Sequence, residues 1–191
     1  MAIANKIYPE HLGVGFCDSY QNFYNERSNY AKGTGENLAI KLGLNATYGN
    51  SNNKFSPFYD PKYTMSITIG GQLSLCMLIE RLLLVCGVKI IQANTDGFTF
   101  KIHKSKIEVM KEHVSRWEKV TGLVMEDARY SKMYIADVNS YIAIYTNGKT
   151  KMKGRYEYKP QLNQELGALH KNHSALVIQM AVEHQVVNGG D

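Results

Sequence analysis

The chain has 191 residues, 44% hydrophobic and 20% charged, which excludes a disordered tail and allows one good-sized domain or two small lobes. A net charge of +5 suits an anionic partner, with nucleic acid the first candidate, although many basic proteins bind no polymer. Cys17, Cys76 and Cys86 form no C-x-x-C pair and are odd in number, which points to buried thiols in a reducing compartment rather than a disulfide framework.

The N-terminus, M-A-I-A-N-K-I-Y-P, lacks the long apolar run of a secretory signal. Residues 18–32 space Tyr20, Phe23, Tyr24 and Tyr30 as a helix would, and G-T-G at 33–35 ends it. A second helix starts near Glu36 and runs to about Tyr48, giving an antiparallel helical hairpin. The stretch G-N-S-N-N-K and the Pro57–Pro61 region read as loop. A long buried helix comes next, over 64–86. Its segment 73–86 is very apolar, yet it is short for a membrane span and carries Glu80 and Arg81, so no membrane is expected.

Residues 88–102 predict a β-hairpin around Asn94-Thr95-Asp96-Gly97, with Gly97 supplying backbone freedom. Residues 104–121 predict an amphipathic helix, with Ile107, Met110, Val114 and Trp117 on one face. Two further strand pairs are predicted at about 122–136 and 139–156, turning at Asn147-Gly148. The tail from 163 ends in a helix, with Asn172 or Ser174 as its cap. This order describes an α+β core with a helical insertion.

Three groups of residues carry candidate chemistry. On the second helix, Lys41, Asn45 and Tyr48 are spaced i, i+4, i+7 and share a face, while Leu38 and Leu42 lie on a stripe that can pack inward. A cation, an amide and an aromatic ring in one column suit a triphosphate substrate; the competing reading is an ordinary solvated helix face. In G-K-T-K-M-K-G-R-Y, Lys149, Lys151, Lys153 and Arg155 alternate, which in a strand puts four cations on one face. Such a row fits a phosphate backbone or, equally, an edge strand protected by lysines. Gly154 would allow a partner's backbone to approach closely. Asp96 is either a turn residue bonding its own backbone or an oxygen ligand for a divalent metal. Glu126 and Asp127 read as a surface strand end, and His170 with His173 as a helix start beside solvent.

Taken in order, these motifs resemble the family B DNA polymerases, the phage-type members in particular. The family's fingers motif K-x-x-x-N-S-x-Y-G is matched by Lys41, Asn45, Ala46, Tyr48 and Gly49, with Ala for Ser. The palm hairpin D-T-D-S is matched by Asn94-Thr95-Asp96-Gly97. Tyr141 sits where the K-K-R-Y tyrosine would, after Asn139 and Ser140, and Lys151, Lys153 and Gly154 look like the K-x-K-G variant of phage-type members. The resemblance covers nearly the whole chain.

It implies a palm of antiparallel sheet and packed helices with a helical-hairpin fingers insertion: 1–62 fingers, 63–160 palm, 161–191 the end of the palm and start of a thumb. It implies that Lys41, Asn45, Tyr48 and Arg27 contact an incoming deoxynucleoside triphosphate. Asp96 would bind catalytic Mg2+, and Tyr141, Lys151, Lys153 and Gly154 would touch primer–template DNA. The reaction would be two-metal transfer of a deoxynucleotide to a primer 3′-hydroxyl, in the cytoplasm of a cell, a host cell if phage-encoded. The family's first palm strand, D-x-x-S-L-Y-P-S, carries the other metal-binding Asp. Residues 1–13 resemble the segment directly after that strand, and the proofreading exonuclease domain is also absent. The chain is therefore expected to be inactive alone and to need an N-terminal polymerase portion as partner. The alternative is a non-catalytic nucleic-acid-binding module that keeps the polymerase shape.

Overall fold

The computed structural model describes residues 1–157 and 176–189. The fold is mixed α+β with two small antiparallel sheets, and it divides into two compact units, Met1–Met125 and Glu126–Asp191.

In the first unit, α1 (Gly15–Glu26) and α2 (Gly35–Gly49) form the expected helical hairpin, packed at Gly43, where an added Cβ would lie 3.0 Å from the Phe23 ring. Thr34 caps α2 by accepting the Asn37 N–H. The stripe that α2 buries is Asn37, Ile40, Leu44 and Thr47; Leu38 and Leu42, expected to pack inward, are exposed. This half-polar stripe can be buried because Asn37 donates to the Arg27 carbonyl outside the helix and Thr47 to the Gly43 carbonyl one turn back in α2.

α3 (Pro61–Cys86) begins three residues before its predicted start. Asp60 accepts the Tyr63 N–H, and Pro61 stands at the first helical position, where its missing N–H costs nothing. The buried helix expected here is buried on one stripe only: Tyr63, Leu75, Leu78, Leu82 and Cys86. Met65, Ile69, Leu73, Met77 and Leu84 are exposed, as is Cys76, against the expectation of buried thiols throughout. The helix is apolar all round, but its neighbours cover only one side. By length and composition α3 suffices to cross a bilayer, with 22% of its apolar window buried inside the chain. A single such helix is equally compatible with a soluble protein, whose core helices meet the same criteria.

β1 (Lys89–Ala93) and β2 (Phe98–Lys101) form the hairpin, with a bulge at Ile91 between the pairs Ile90–Phe100 and Gln92–Thr99. α4 (Ile107–Thr121) lies on α3, and the Trp117 indole N–H donates to the Ser74 carbonyl at 2.7 Å. Leu78, Leu82, Cys86, Val88 and Trp117 make the core, flanked by Ile90, Phe98, Phe100, Met110 and Val114.

In the second unit, β3 (Tyr130–Asp137), β4 (Ser140–Tyr145) and β5 (Thr150–Lys153) form one antiparallel sheet in that order, in place of two strand pairs. Residues 122–129 form no strand; the first predicted pair is a single strand starting at Tyr130. β4 is central and buries Ile142 and Ala143. α5 (Leu176–Asn188) comes last, with Glu183 accepting from the Thr150 hydroxyl at 2.7 Å. The predicted caps Asn172 and Ser174, together with His170 and His173, lie outside the described residues.

Candidate nucleotide cleft and nucleic-acid face

Lys41, Asn45 and Tyr48 of α2 and Arg27, just after α1, line a single cleft of about 310 Å³. Its other walls include Tyr20 and Tyr24 of α1 and Tyr63 and Ile67 of α3. The three residues spaced along the helix therefore share one shallow concavity, in which all of them stay exposed to solvent.

Buried Asn37 and half-buried Tyr20 hold this column in register, and neither is marked by a sequence motif. The Asn37 amide donates to the carbonyls of Arg27 and Tyr30, at 3.2 and 3.0 Å, and its oxygen accepts from Arg27 Nε at 3.3 Å. Arg27 is thus clipped to α2 and turned toward the cleft wall. The Tyr20 hydroxyl donates to the Leu44 carbonyl at 2.9 Å, tying α1 to α2 in mid-helix, and burial pushes this phenol up from its ordinary pKa. The only sequence signal for Asn37 was a polar residue on the stripe that Ile40 and Leu44 continue.

Tyr48 is fixed from the opposite side. Its hydroxyl lies 2.7 Å from Thr68 Oγ1, and the Thr68 proton is already donated to the Thr64 carbonyl at 2.8 Å. With its one proton given to Thr64, the Thr68 hydroxyl accepts here and Tyr48 donates. Ser51, fully buried, donates to the Tyr48 carbonyl at 2.6 Å and anchors the end of α2.

Asp96 does not line the cleft. Turn chemistry at its hairpin belongs to Asn94, whose side-chain oxygen accepts the N–H groups of Asp96 and Gly97 at 3.3 and 2.8 Å. The Asp96 carboxylate makes none of the turn's hydrogen bonds and is exposed. Gly97, expected to supply an unusual backbone conformation, is not among the left-handed glycines, and a Cβ there would make only an ordinary contact with Asn94. The Asx bonds of Asn94 close the turn without it.

As for a metal, the exposed Asp96 carboxylate suits one oxygen ligand. No cluster of three or more His, Cys, Asp or Glu side chains placed to hold an ion occurs among the described residues. The fit to a magnesium pair is therefore partial.

In the second unit, cross-strand pairing puts Tyr141 opposite Lys153 and Ala143 opposite Lys151. Directly opposed residues share a face, so Tyr141, Lys151 and Lys153 stand together, joined by Tyr130 and Tyr145, whose rings are 4.9 Å apart. Lys151 Nζ lies 3.5 Å from the Tyr130 hydroxyl. Burial lowers the Lys151 pKa, but the phenols of Tyr130, Tyr141 and Tyr145 outweigh it and hold the ammonium above the usual lysine range.

The expected row of four cations is shorter than the alternation suggested. Lys149 sits in the turn before β5 and Arg155 in the 3-10 turn after it, where it pairs with Asp137 at 2.9 Å. Gly154 has φ +61°, and a Cβ there would run into the Asn139 carbonyl. The close approach that this glycine permits is to the chain's own β3–β4 turn.

The sequence matches no protein-family model and no curated protein. The cleft and the sheet face themselves must therefore carry any functional assignment. The cleft offers two cations, an amide and phenol rings in a small concavity, which suits a phosphorylated small molecule with a flat ring. The sheet face offers two lysines beside three tyrosines, which suits a phosphate backbone with stacked bases or sugars.

Proposed function

We propose that this chain forms the fingers and palm of a DNA polymerase similar to the phage-type family B enzymes, with fingers over 1–62, palm over 63–160 and the start of a thumb after 161. The observation that carries the proposal is the convergence of Arg27, Lys41, Asn45 and Tyr48 on one cleft. Those are the residues that the motif resemblance assigns to an incoming deoxynucleoside triphosphate. Arg27 and Lys41 neutralise phosphate oxygens, Asn45 adds a hydrogen bond, and the Tyr48 ring supports the base or sugar.

Tyr141, Lys151 and Lys153 contact the primer–template duplex from the sheet face, and Gly154 sets the turn that leaves Lys153 exposed. The reaction is attack of a primer 3′-hydroxyl on the α-phosphate of the bound nucleotide. Magnesium, when bound, supplies charge neutralisation on the triphosphate. Asp96 provides one of its ligands, and the resemblance assigns the second carboxylate to a first palm strand of the form D-x-x-S-x-Y-P, which residues 1–191 do not include.

Primer extension tests this reading. The chain alone is expected to give no extension, and adding a polypeptide that carries a D-x-x-S-x-Y-P strand is expected to restore it. Asp96→Ala should then abolish extension, and Lys41→Ala should reduce it by about ten- to a hundredfold through nucleotide use. Extension that survives Asp96→Ala sinks the proposal. The face of Tyr141, Lys151 and Lys153 also supports a second reading, a non-catalytic module that binds nucleic acid. Duplex binding with no gain from magnesium or nucleotide would favour that one.

A further inference from the structure

Beneath the floor of the cleft lies a buried polar group that no described residue uses. Tyr63, on the first turn of α3, is 2% exposed and lines the cleft, and its hydroxyl has no hydrogen-bond partner among the described residues. Its ring is held edge-on to Phe16, with centroids 6.0 Å apart, so the side chain is wedged in place. The hydroxyl lies within electrostatic range of the phenols of Tyr20 and Tyr48, which line the same space, and burial first, then those neighbours, push it up from its ordinary pKa.

Of the four phenols that line the cleft, Tyr24 is largely exposed to solvent, and the other three differ in one respect. The Tyr20 proton is given to Leu44 and the Tyr48 proton to Thr68, whereas the Tyr63 proton is given to no described residue. A buried hydroxyl without a partner destabilises the fold, and phenylalanine would fill the same space without that penalty. Such a group points to an acceptor brought from outside the chain.

We infer that Tyr63 is a further substrate-binding residue beneath the floor of the cleft, its hydroxyl donating a hydrogen bond to an acceptor oxygen of the bound nucleotide once the ligand displaces the side chains that cover it. This rests on the nucleotide reading of the cleft. Arg27 and Lys41 at the cleft walls fix the anionic end, and the Tyr63 donor then selects how deeply the molecule seats. Because Tyr63 is the one of these four phenols whose hydroxyl is both buried and unpartnered among the described residues, its hydrogen bond is made only when a ligand is present.

The test uses the full chain, with dATP and magnesium titrated by calorimetry into wild type, Tyr63→Phe and Lys41→Ala, and urea unfolding measured for each. Wild type should bind dATP, and Lys41→Ala should bind at least tenfold more weakly. Tyr63→Phe should bind about fivefold more weakly, the loss of one hydrogen bond, while unfolding at the same or higher urea than wild type. If Lys41→Ala loses affinity and Tyr63→Phe does not, the hydroxyl serves at most a buried water; the inference fails and the nucleotide reading stands. If Tyr63→Phe unfolds earlier than wild type, the hydroxyl has a partner within the chain and the inference fails as well. If wild type does not bind dATP, or Lys41→Ala binds it equally well, the nucleotide reading and the inference fall together.

Discussion

Asp60 is a single residue on which two segments depend. Its carboxylate accepts the Glu10 N–H at 2.8 Å, fifty positions earlier in the chain, and the Tyr63 N–H at 3.0 Å, capping α3. Those bonds, Glu10 first, hold its carboxyl below the usual carboxylate range. A group whose pKa is lowered by folding stabilises the fold above its unfolded value, about 3.9, and loses that contribution as pH falls through the folded value. Asp60→Ala is therefore expected to cost about 1 kcal/mol at neutral pH, in the range measured for lost helix caps, as read by urea unfolding. Asp60→Asn should retain part of this, because the amide oxygen still accepts. The gap between wild type and Asp60→Ala should narrow below about pH 4; a gap independent of pH would show that the carboxylate is not its source. Asp60 also places Tyr63, so the residue that starts α3 positions the phenol beneath the floor of the cleft.

The turn between β3 and β4 and the end of β5 constrain one another at the scale of elements. Gly154 brings its backbone against Asn139, and Arg155 reaches Asp137 from the next position. Gly154→Ala must force a Cβ into the Asn139 carbonyl while holding φ at +61°, which costs at least about 1–2 kcal/mol. Amide exchange in β4 and β5 should quicken in this variant while α3 and α4 keep their protection; uniform quickening, or none, would refute the local account. Gly154 also marks a limit of the sequence pattern. Its likeness to a duplex-contact motif was visible, but the alternation of Lys149, Lys151, Lys153 and Arg155 looked like one long strand. The strand is only four residues because glycine turns close both of its ends. The hairpin, the two helices of the first lobe and the core face of α4 were legible because periodicity alone sets them. The partners of α3 were not: a helix apolar all round does not reveal which side its neighbours cover. Asn37 and Tyr63 escaped for a related reason, since their importance lies in hydrogen bonds to residues distant in sequence, or in the absence of such a bond.

Across the whole chain, whose net charge is +5, the proposed function calls for two kinds of anion site, a small cleft in the first unit and an open sheet face in the second. They should respond differently to salt. A duplex is bound largely by release of condensed counterions, and each lysine–phosphate contact contributes about 0.9 to the slope of log affinity against log salt. Lys153 is exposed on the same face as Tyr141 and carries no ion pair among the described residues. Lys153→Ala should therefore weaken primer–template binding for all sequences alike and flatten that slope by about 0.9. Lys151 is half-buried beside Tyr130, so its loss would disturb packing as well as charge and makes the less clean probe. Lys41 belongs to the cleft, where a free nucleotide releases few counterions, so Lys41→Ala should leave the duplex slope unchanged while weakening dATP binding. Fluorescence anisotropy of a labelled primer–template over a salt series measures both variants. If Lys41→Ala and Lys153→Ala flatten the slope equally, cleft and sheet face share one polyanion track, and the division of labour proposed for them is wrong.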